Sequence, residues 1–561
     1  MLPEVIMFKY CFIDFPSMQK SCRIEGLLSL AEDIVKKFEK ERLNILTLFI
    51  WVFALSFTRT WVEAYLFNYS YAELSYKYIF NYAHIIFFYF AAYLMGVVVL
   101  KFFSKEKLMK VANLSAWGFT VILLPPFLDK FVFHTTTYRY VASIQQFIEG
   151  YTSFFLRLGN VGGYGLFVEI VTILLLSSIY VFIKRRSIPI AVAHFFVLYT
   201  LILIIGTPRL DPILAMWSPE AENLVLPGHT KVAAGLLQPV FFLHFLIICI
   251  ILTLIAGELS KRGFVFRFLK TVRLPQVAHG ILMVIIGIIV AGHLNINLMN
   301  LSDPLQTGDI GMAGLSIFLV VFLWVYTAII NDIYDIEIDK FTNRDRIVVS
   351  GILTKKQALH IAAICAIIAV WLSIMLSVHA FILALIALVM GTIYSVPPVR
   401  FRNTVFSTTF IGIGSAIAYF IGYMTPRYIQ VGMMPPFEFV KILPPSITQE
   451  GIEIGILIAI LLSIGPLVTD LKDYESEKKL GIRNIYTIYG KEKGVTIVSI
   501  LLFFSFISLI ILFHTPQDIV IFLVFGLAAS ILFKKYEITK GIFLLYFPVV
   551  VYCVARWVGL I

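Results

Sequence analysis

The strongest constraint on the fold of this chain is its number of long apolar segments. A transmembrane helix needs roughly 20 apolar residues, and hydrophobic residues make up 60% of this chain against 14% charged residues. Six candidate spans precede residue 260, at about 44–66, 77–103, 109–128, 161–183, 187–206 and 230–257. Nine follow, at about 276–294, 312–333, 357–376, 379–395, 405–425, 451–470, 494–513, 518–533 and 541–559. We therefore predict an all-α, multi-pass membrane protein.

The positive net charge is explained by the loops between these spans. The chain has 45 basic and 34 acidic residues, so its formal net charge is 45 − 34 = +11. Basic residues concentrate in short loops, as the positive-inside rule requires of cytoplasmic loops. The lipid bilayer is therefore the expected partner of the basic surface, and no nucleic-acid partner is predicted.

A single orientation of the chain accommodates every basic cluster. We expect residues 1–43 to be a cytoplasmic, amphipathic segment, because they end in several lysines and an arginine. Alternation of the spans then places the basic loops inside, near residues 101–110, 184–186, 261–262, 340–346, 400–402, 472–479 and 534–535. The less basic loops 67–76, 207–228 and 426–448 fall outside.

Two copies of one acidic pattern, D-x-x-D-x-x-x-[DE], lie at the cytoplasmic ends of apolar segments. The first is in residues 331–339 (NDIYDIEID) and the second is in residues 470–477 (DLKDYESE). Spacings of three and four place the outer carboxylates of each copy on one helical face. Because carboxylates near lipid are costly, they usually mark a function. Two such faces turned toward each other would hold hard divalent cations, and Mg²⁺ with a diphosphate is the expected occupant.

Basic residues follow the acidic motifs closely. The segment 340–351 (KFTNRDRIVVSG) comes directly after the first motif, and 394–402 (YSVPPVRFR) ends a later span on the same side. Lys and Arg beside a carboxylate cluster can neutralise a diphosphate whose other oxygens are bridged by the metal. The predicted substrate-binding residues are Lys340, Arg344, Arg346, Tyr394, Arg400 and Lys472. Membrane anchoring remains an equally good interpretation of each arginine, as it does for Lys270 and Arg273.

Residues of about 262–561 resemble the UbiA-type intramembrane prenyltransferase family. Its pattern is an NDxxDxxxD motif, a basic stretch ending in Ser-Gly, a Tyr-Ser-x-Pro-Pro segment and a second DxxDxxxD motif, and all four occur here in order. The resemblance implies a nine-helix bundle that transfers a prenyl group from a polyprenyl diphosphate to an aromatic or lipid acceptor, with Mg²⁺ as cofactor. It implies metal-binding roles for Asn331, Asp332, Asp335, Asp339, Asp470, Asp473 and Glu477. Asp335, Asp339, Asp470 and Asp473 are the predicted catalytic residues.

The chain departs from the family pattern at two positions. Glu477 stands where the family usually has aspartate, and its extra methylene shifts the carboxylate oxygens. The family's Asn-Arg-Pro stretch reads Asn343-Arg344-Asp345-Arg346-Ile347, without proline. The arginine that reaches the diphosphate is therefore not fixed by the motif.

Every recognisable catalytic motif follows Ser260–Gly263, where we predict a domain boundary. The predicted parts are the segment 1–43, a six-span membrane domain 44–260 of unknown function and the prenyltransferase domain 261–561. One hypothesis is that the first 260 residues handle the acceptor or product, and the alternative is that they only stabilise or localise the enzyme. Intramembrane polar residues such as His84, His194 and Glu169 are typical of hydrogen-bonded bundle residues.

The leading prediction is an Mg²⁺-dependent membrane prenyltransferase, in the plasma membrane of a prokaryote, with its active site facing the cytoplasm. A transporter that relays ions through intramembrane acids is the main alternative. Transporters often have related halves, whereas these halves look unrelated and the acids cluster at one membrane face. A soluble terpene synthase, which also uses aspartate-rich motifs, does not fit the density of spans.

Overall fold

The computed structural model describes residues 16–40, 42–74, 78–134, 144–155, 163–206, 238–292, 304–427, 447–479, 481–537 and 543–557. All regular elements of these residues are helices, as predicted. Twelve of the described helices are long and apolar enough to cross a membrane, and a bent pair can form a thirteenth span. The chain is therefore an integral, multi-pass membrane protein.

The described helices divide into two compact units, with the change between Val265 and Phe266. The first unit begins with α1 (Pro16–Phe38), which precedes the first span. Its main helices are α2 (Ile45–Leu66), α3 (Ile79–Ser104), α4 (Leu108–Gly118), α5 (Ile144–Ser153), α6 (Tyr164–Arg185), α7 (Ile188–Ile205) and α8 (Gln238–Ser260). After α4 the chain continues through short 3₁₀, α- and π-helical turns to Phe133, and these complete the third span. The six predicted spans of this part are confirmed.

The second unit begins within a helix, α9 (Phe264–Val272), and continues with α10 (Leu274–Val290), α11 (Pro304–Tyr334), α12 (Ile336–Thr342), α13 (Lys355–Leu376), α14 (Val378–Ser395) and α15 (Ser407–Tyr423). It ends with α16 (Gln449–Asp470), α17 (Tyr474–Lys479), α18 (Ile485–Tyr489), α19 (Lys491–Ile507), α20 (Pro516–Tyr536) and α21 (Phe543–Trp557). Each of the nine predicted spans corresponds to one of these helices. A bend of 52° separates α9 from α10.

The ends of several helices are fixed by side chains that the sequence provides at the required spacing. Asn44 accepts hydrogen bonds from the backbone N–H groups of Leu46 and Thr47, and Thr47 returns a bond to the Asn44 backbone. Thr354 and Gln357 form the same reciprocal arrangement at the start of α13. These capping boxes satisfy N–H groups that a helix leaves unpaired at its first turn.

Helix α15 is packed tightly between α10 and α16 through glycines. A Cβ atom built on Gly422 would lie 2.1 Å from the Val284 carbonyl oxygen, and one on Gly287 would lie 2.1 Å from the Tyr419 carbonyl oxygen. On the α16 side, a Cβ on Gly412 would lie 2.2 Å from the Ala459 carbonyl oxygen. Small residues allow membrane helices to approach at backbone distance, where dispersion contacts hold them together. This packing sets the framework for the helix ends that carry polar groups.

Candidate active site

The first acidic motif lies where α11 passes into α12. The backbone keeps helical hydrogen bonds through the junction: the N–H of Asp335 donates to the carbonyl of Asn331 at 2.9 Å, and that of Asp339 to Asp335 at 2.8 Å. The predicted common face is therefore formed. The side chains of Asn331, Asp332, Asp335 and Asp339 are all at most 4% exposed. Carboxylates buried to this degree require charged or hydrogen-bonding partners.

Two arginines neutralise one end of this face. Arg273 lies at the bend between α9 and α10, with a φ of 58°. Its Nη2 donates to Asn331 Oδ1 at 2.7 Å and to Asp332 Oδ1 at 3.1 Å. Arg346, from the segment after α12, donates to Asp332 Oδ1 at 2.9 Å and also bonds Asp339. Charge-assisted bonds of this type are shorter and stronger than neutral ones.

Two further arginines bind the central aspartate. Arg400 Nη2 donates to Asp335 Oδ1 at 2.6 Å, and Arg402 forms an ion pair with the same carboxylate. Both come from the loop after α14. The end of α14 also contacts the motif, since Asn331 Nδ2 lies 3.5 Å from Ser395 Oγ.

The cluster carries more positive than negative charge. Three carboxylates face four guanidinium groups, which gives a formal sum of 4 − 3 = +1. The arginines are 13–26% exposed while the carboxylates are at most 1% exposed. The guanidinium groups therefore form the accessible part of the cluster, and their remaining N–H groups suit an anionic ligand.

The second acidic motif begins at the end of α16. Asp470 is half-buried there, and a 3₁₀ turn (Leu471–Asp473) leads to α17. We call residues 396–403, which follow α14 and carry Arg400 and Arg402, the arginine loop. The segment beyond α17 contacts this loop, because the Arg483 N–H donates to the Asn403 carbonyl at 3.2 Å. Burial, and then the negative charge of Asp470, raise the pKa of the Tyr486 hydroxyl. The side chains of Asp473 and Glu477, which we predict to bind the metal, are outside the part of the chain that the structure describes.

For four of the predicted substrate-binding residues, the contacts or exposure that the structure describes are not ion pairs with aspartates of the first acidic motif. Lys340 bonds Glu337 at 2.9 Å, and Arg344 Nε donates to the Lys340 carbonyl at 2.9 Å; both side chains are exposed. Tyr394 packs against Phe410 with ring centroids 6.2 Å apart. Lys472 is exposed. Their proposed contacts with substrate stay predictions, whereas Arg346 and Arg400 lie in the buried cluster itself.

Sequence reasoning alone did not single out Arg273, Arg402 or Ser395 as members of the site. Arg273 and Arg402 were equally compatible with membrane anchoring, since anchoring and binding use the same residue type. The signal that could have found Ser395 was its place beside Tyr394 at the end of a span. In the structure, Ser395 Oγ lies 3.5 Å from Asn331 Nδ2 of the acidic motif.

A cleft of about 410 Å³ borders the acid-bearing end of α11. Its lining is mostly apolar or aromatic, with the polar Thr392 on α14 and two lysines at the start of α13. The lining residues are Tyr326, Ile330, Ile333, Tyr334, Lys355, Lys356, Leu359, Thr392 and Val396. An apolar cleft beside a positively charged cluster can accept a molecule with a hydrocarbon tail and an anionic head.

The donor set of the acidic motifs is suited to a hard cation. Asn331 supplies an amide oxygen and the aspartates supply carboxylates, which are the ligand types that Mg²⁺ uses. Within the described part of the chain, no three His, Cys, Asp or Glu side chains are grouped so that they could hold a metal ion. The described first-motif carboxylates are bonded to arginines, and two of the three second-motif acids are not described.

Comparison with known proteins assigns this half of the chain. The family model described as the UbiA prenyltransferase family matches residues 277–541. Residues 277–541 are therefore similar to this family, and we call them the UbiA domain. The match includes both acidic motifs and the arginine loop, so the predicted resemblance is confirmed. The UbiA domain thus contains every residue of the acid–arginine cluster except Arg273, which lies four residues before the matched region.

Curated relatives are similar to part of this chain at modest identity. A 2-acyl-4-prenylphloroglucinol 6-prenyltransferase of Humulus lupulus is 28% identical over 191 residues, or 32% of this chain. A digeranylgeranylglyceryl phosphate synthase of Pyrococcus horikoshii is 28% identical over 196 residues, or 34% of this chain. The chain spans 43% of the length of the first relative and 62% of the second.

Solved structures match part of this chain with low overall superposition. A digeranylgeranylglyceryl phosphate synthase structure matches with a TM-score of 0.37 and 20% identity, covering 50% of this chain and 90% of the other. A UbiA homologue from Archaeoglobus fulgidus, bound to DMAPP and Mg²⁺, matches with a TM-score of 0.36 and 16% identity, covering 52% and 98%.

Proposed function

We propose that this protein is an Mg²⁺-dependent membrane prenyltransferase that moves a prenyl group from a polyprenyl diphosphate to a hydrophobic acceptor. The observation that carries the proposal is the buried cluster in which Asp332, Asp335 and Asp339 face four arginines. The match of residues 277–541 to the model of a prenyltransferase family supports it.

The arginines are suited to bind the diphosphate of the donor. Arg346 and Arg400 reach the carboxylates through single nitrogens, Nη1 and Nη2 respectively, in the described contacts. A guanidinium group has five N–H donors in a fixed fork, so the same group can also donate to a phosphate oxygen. The carboxylates thus hold the arginines in place, and the surplus positive charge attracts the diphosphate.

The reaction breaks the C–O bond between the prenyl chain and the diphosphate. The electron pair leaves with the diphosphate, and a delocalised allylic cation remains until an acceptor atom attacks its carbon and releases a proton. Arginines already held in position stabilise the negative charge that develops on the leaving group without reorganising. The apolar helices around the site exclude water, which would otherwise capture the cation.

We assign the metal-binding role to oxygen ligands of both acidic motifs. Asn331, Asp332, Asp335 and Asp339 would supply the ligands of the first motif, and Asp470, Asp473 and Glu477 those of the second. When bound, Mg²⁺ supplies positive charge that stabilises the departing diphosphate. The homologue from Archaeoglobus fulgidus is a solved example with Mg²⁺ and a prenyl diphosphate bound.

Two classes of acceptor follow from the names of the relatives. One relative acts on a phloroglucinol, which is a hydroxylated aromatic ring, and others are synthases of a glycerol-phosphate lipid. Purified full-length protein in lipid nanodiscs, given Mg²⁺, geranylgeranyl diphosphate and an acceptor of either class, should form a prenylated product detectable by mass spectrometry. EDTA should remove the activity and added Mg²⁺ should restore it.

Diphosphate release is the reaction step that decides whether the proposal holds. If the folded protein releases no diphosphate with either acceptor class at any Mg²⁺ concentration, the assignment fails. A transporter would bind a solute without consuming the diphosphate. The described carboxylates of the first motif do not favour a transporter, because they are bonded to arginines at a helix end.

We propose that the site faces the cytoplasm of a prokaryotic cell, in the plasma membrane. Single cysteines should therefore be introduced at Asp345 and Lys478 for the inner face and at Glu450 for the outer face, in a chain without native cysteines. These three residues are exposed. A membrane-impermeant maleimide should label positions 345 and 478 only from the cytoplasmic side and position 450 only from the other side. Opposite labelling of 345 and 478 would refute this topology.

A further inference from the structure

The N-terminal unit contains a charged cluster that prenyl transfer does not use. Arg59, near the end of α2, and Glu169, near the start of α6, are 3% and 6% exposed. Arg59 forms an ion pair with Glu63, one turn further along α2. Glu169 also interacts with Arg59 electrostatically. Buried charges inside a membrane domain are costly and commonly mark a binding site or a pathway.

Two atoms of this cluster lack a hydrogen bond. Arg59 Nε, a donor, and Glu169 Oε2, an acceptor, are buried and have no hydrogen-bond partner among the described residues. Leaving such groups unsatisfied is unfavourable, and more so when they are charged. Each buried histidine of this unit has a described polar contact, since His84 Nδ1 lies 3.0 Å from the Phe80 carbonyl and His194 Nδ1 lies 3.1 Å from Ser178 Oγ. His194 Nε2 also lacks a hydrogen-bond partner among the described residues, but His194 is not among the residues that line the cavity described next.

Both residues line a cavity of about 690 Å³ within this unit. This volume is within the range of ligand sites for molecules of drug size or larger. The cavity reaches along α6 from Glu169 to Ile183, 14 residues further on, which corresponds to about 21 Å of helix. Apart from the charged pair, its lining is mainly aliphatic and aromatic, with residues such as Phe88, Leu100 and Trp117. The shape suits a long hydrocarbon chain.

The charges of Arg59, Glu63 and Glu169 determine which polar group a ligand in this cavity can carry. Arg59 is one cation beside two carboxylates, Glu63 and Glu169, so the cluster has no surplus positive charge for a phosphate. The site in the UbiA domain differs, since four arginines face three aspartates there. An uncharged hydroxyl fits the two unsatisfied atoms, because it can accept from Arg59 Nε–H and donate to Glu169 Oε2.

We infer that the N-terminal unit binds a long-chain lipid whose polar end is an uncharged hydroxyl held between Arg59 and Glu169. Two sources share this chemistry: an isoprenoid alcohol and a glycerolipid with a free hydroxyl. Neither prenyl diphosphates nor other phosphate anions match the site. The inference does not depend on the prenyl transfer proposed for the UbiA domain.

The test uses all-trans-retinol, a fluorescent isoprenoid alcohol, with the full-length protein in detergent. Trp117 lines the cavity, so bound retinol should quench tryptophan emission by energy transfer. Retinyl acetate has the same chain but no O–H donor, and it should bind at least about tenfold more weakly, as expected when a hydrogen bond to a buried acceptor is lost. Geranylgeraniol or dioleoylglycerol should displace retinol, and whichever does so identifies the source, whereas geranylgeranyl diphosphate should not.

Three variants separate the site from nonspecific partitioning. Glu169→Leu should bind retinol about tenfold more weakly and should lose the preference over the acetate. Gly96→Leu should weaken binding similarly by filling the cavity, because Gly96 lines it and a Cβ there meets nothing within 4 Å. Gly414→Leu is the matched control: Gly414 is also helical and equally open, but it lies in the UbiA domain.

The inference is overturned if retinol and its acetate bind wild-type protein equally, if geranylgeranyl diphosphate displaces retinol as well as the alcohols do, or if neither alcohol displaces it. It is also overturned if Gly96→Leu and Gly414→Leu bind retinol alike. These results do not depend on the folding of the Glu169 variant, because the ligand pair and the Gly96 variant test the site independently.

Discussion

Replacement of Asp335 by asparagine is expected to lower the rate of prenyl transfer at least about a thousandfold, in line with the loss of an electrostatic group that acts in the transition state. Asp335 is 1% exposed and binds both Arg400 and Arg402. Asparagine keeps the shape but removes the charge that holds these arginines and the proposed metal. The measurement is the rate of diphosphate release in nanodiscs at saturating Mg²⁺ and donor.

The matched control for this variant is Asp345→Asn. Asp345 carries the same functional group in the segment after the motif, but its side chain is exposed. This control should retain wild-type activity. Both proteins should elute as single species on size exclusion, which separates catalysis from folding. Activity of Asp335→Asn within tenfold of wild type would show that the first motif is not part of the site.

Replacement of Gly422 by leucine is expected to destabilise the UbiA domain by at least about 3 kcal/mol, at the upper end of overpacking effects. Even the first atom of the new side chain would lie 2.1 Å from the Val284 carbonyl oxygen and 2.8 Å from its Cα. These neighbours are backbone atoms of α10, so they cannot move aside as a flexible side chain could. The variant should melt well below wild type in detergent or fail to fold.

Gly414→Leu on the same helix is the control for this effect. A Cβ at Gly414 meets nothing within 4 Å, and leucine has a higher helix propensity than glycine. Its melting temperature should equal or exceed that of wild type. Equal destabilisation by the two substitutions would mean that α10 and α15 are not in backbone contact.

The helices could be predicted from the sequence because hydrophobicity and span length are properties of a local segment. Every predicted span has a counterpart among the described helices, and the apolar composition predicts even Ser407–Tyr423, which is only 17 residues long. The position at which α11 ends and α12 begins, at Asp335, is by contrast not predictable from the sequence. Its helical hydrogen bonds continue from α11 into α12, and nothing in the local sequence marks the change.

The partners of the acidic motif were harder to predict than the motif itself. The D-x-x-D spacing fixes which carboxylates share a face, but an arginine next to a membrane looks the same whether it anchors the chain or binds a carboxylate. Arg273 and Arg402 reach the motif from distant segments through a helix bend and a loop. Such tertiary pairing carries no local signal.

The proposed role of Glu169 is likewise not predictable from the sequence. A lone intramembrane glutamate is typical of a hydrogen-bonded bundle residue, and nothing in the local sequence points to a further role. Only the three-dimensional arrangement shows that its Oε2 is buried without a partner and that it lines a large cavity. Cavities form between segments that are far apart in the chain, so they are not predictable from periodicity.

The central claim is that both acidic motifs hold one Mg²⁺–diphosphate group, and a double-mutant cycle on donor binding tests it most directly. The affinity of a non-reactive prenyl thiodiphosphate should be measured for wild type, Asp335→Asn, Asp473→Asn and the double variant, with Mg²⁺ and with EDTA. Each single change should weaken Mg²⁺-dependent binding at least about tenfold, and the double change should weaken it little further, because both act on one site. Strictly additive losses, or binding that is equally tight in EDTA, would contradict the account.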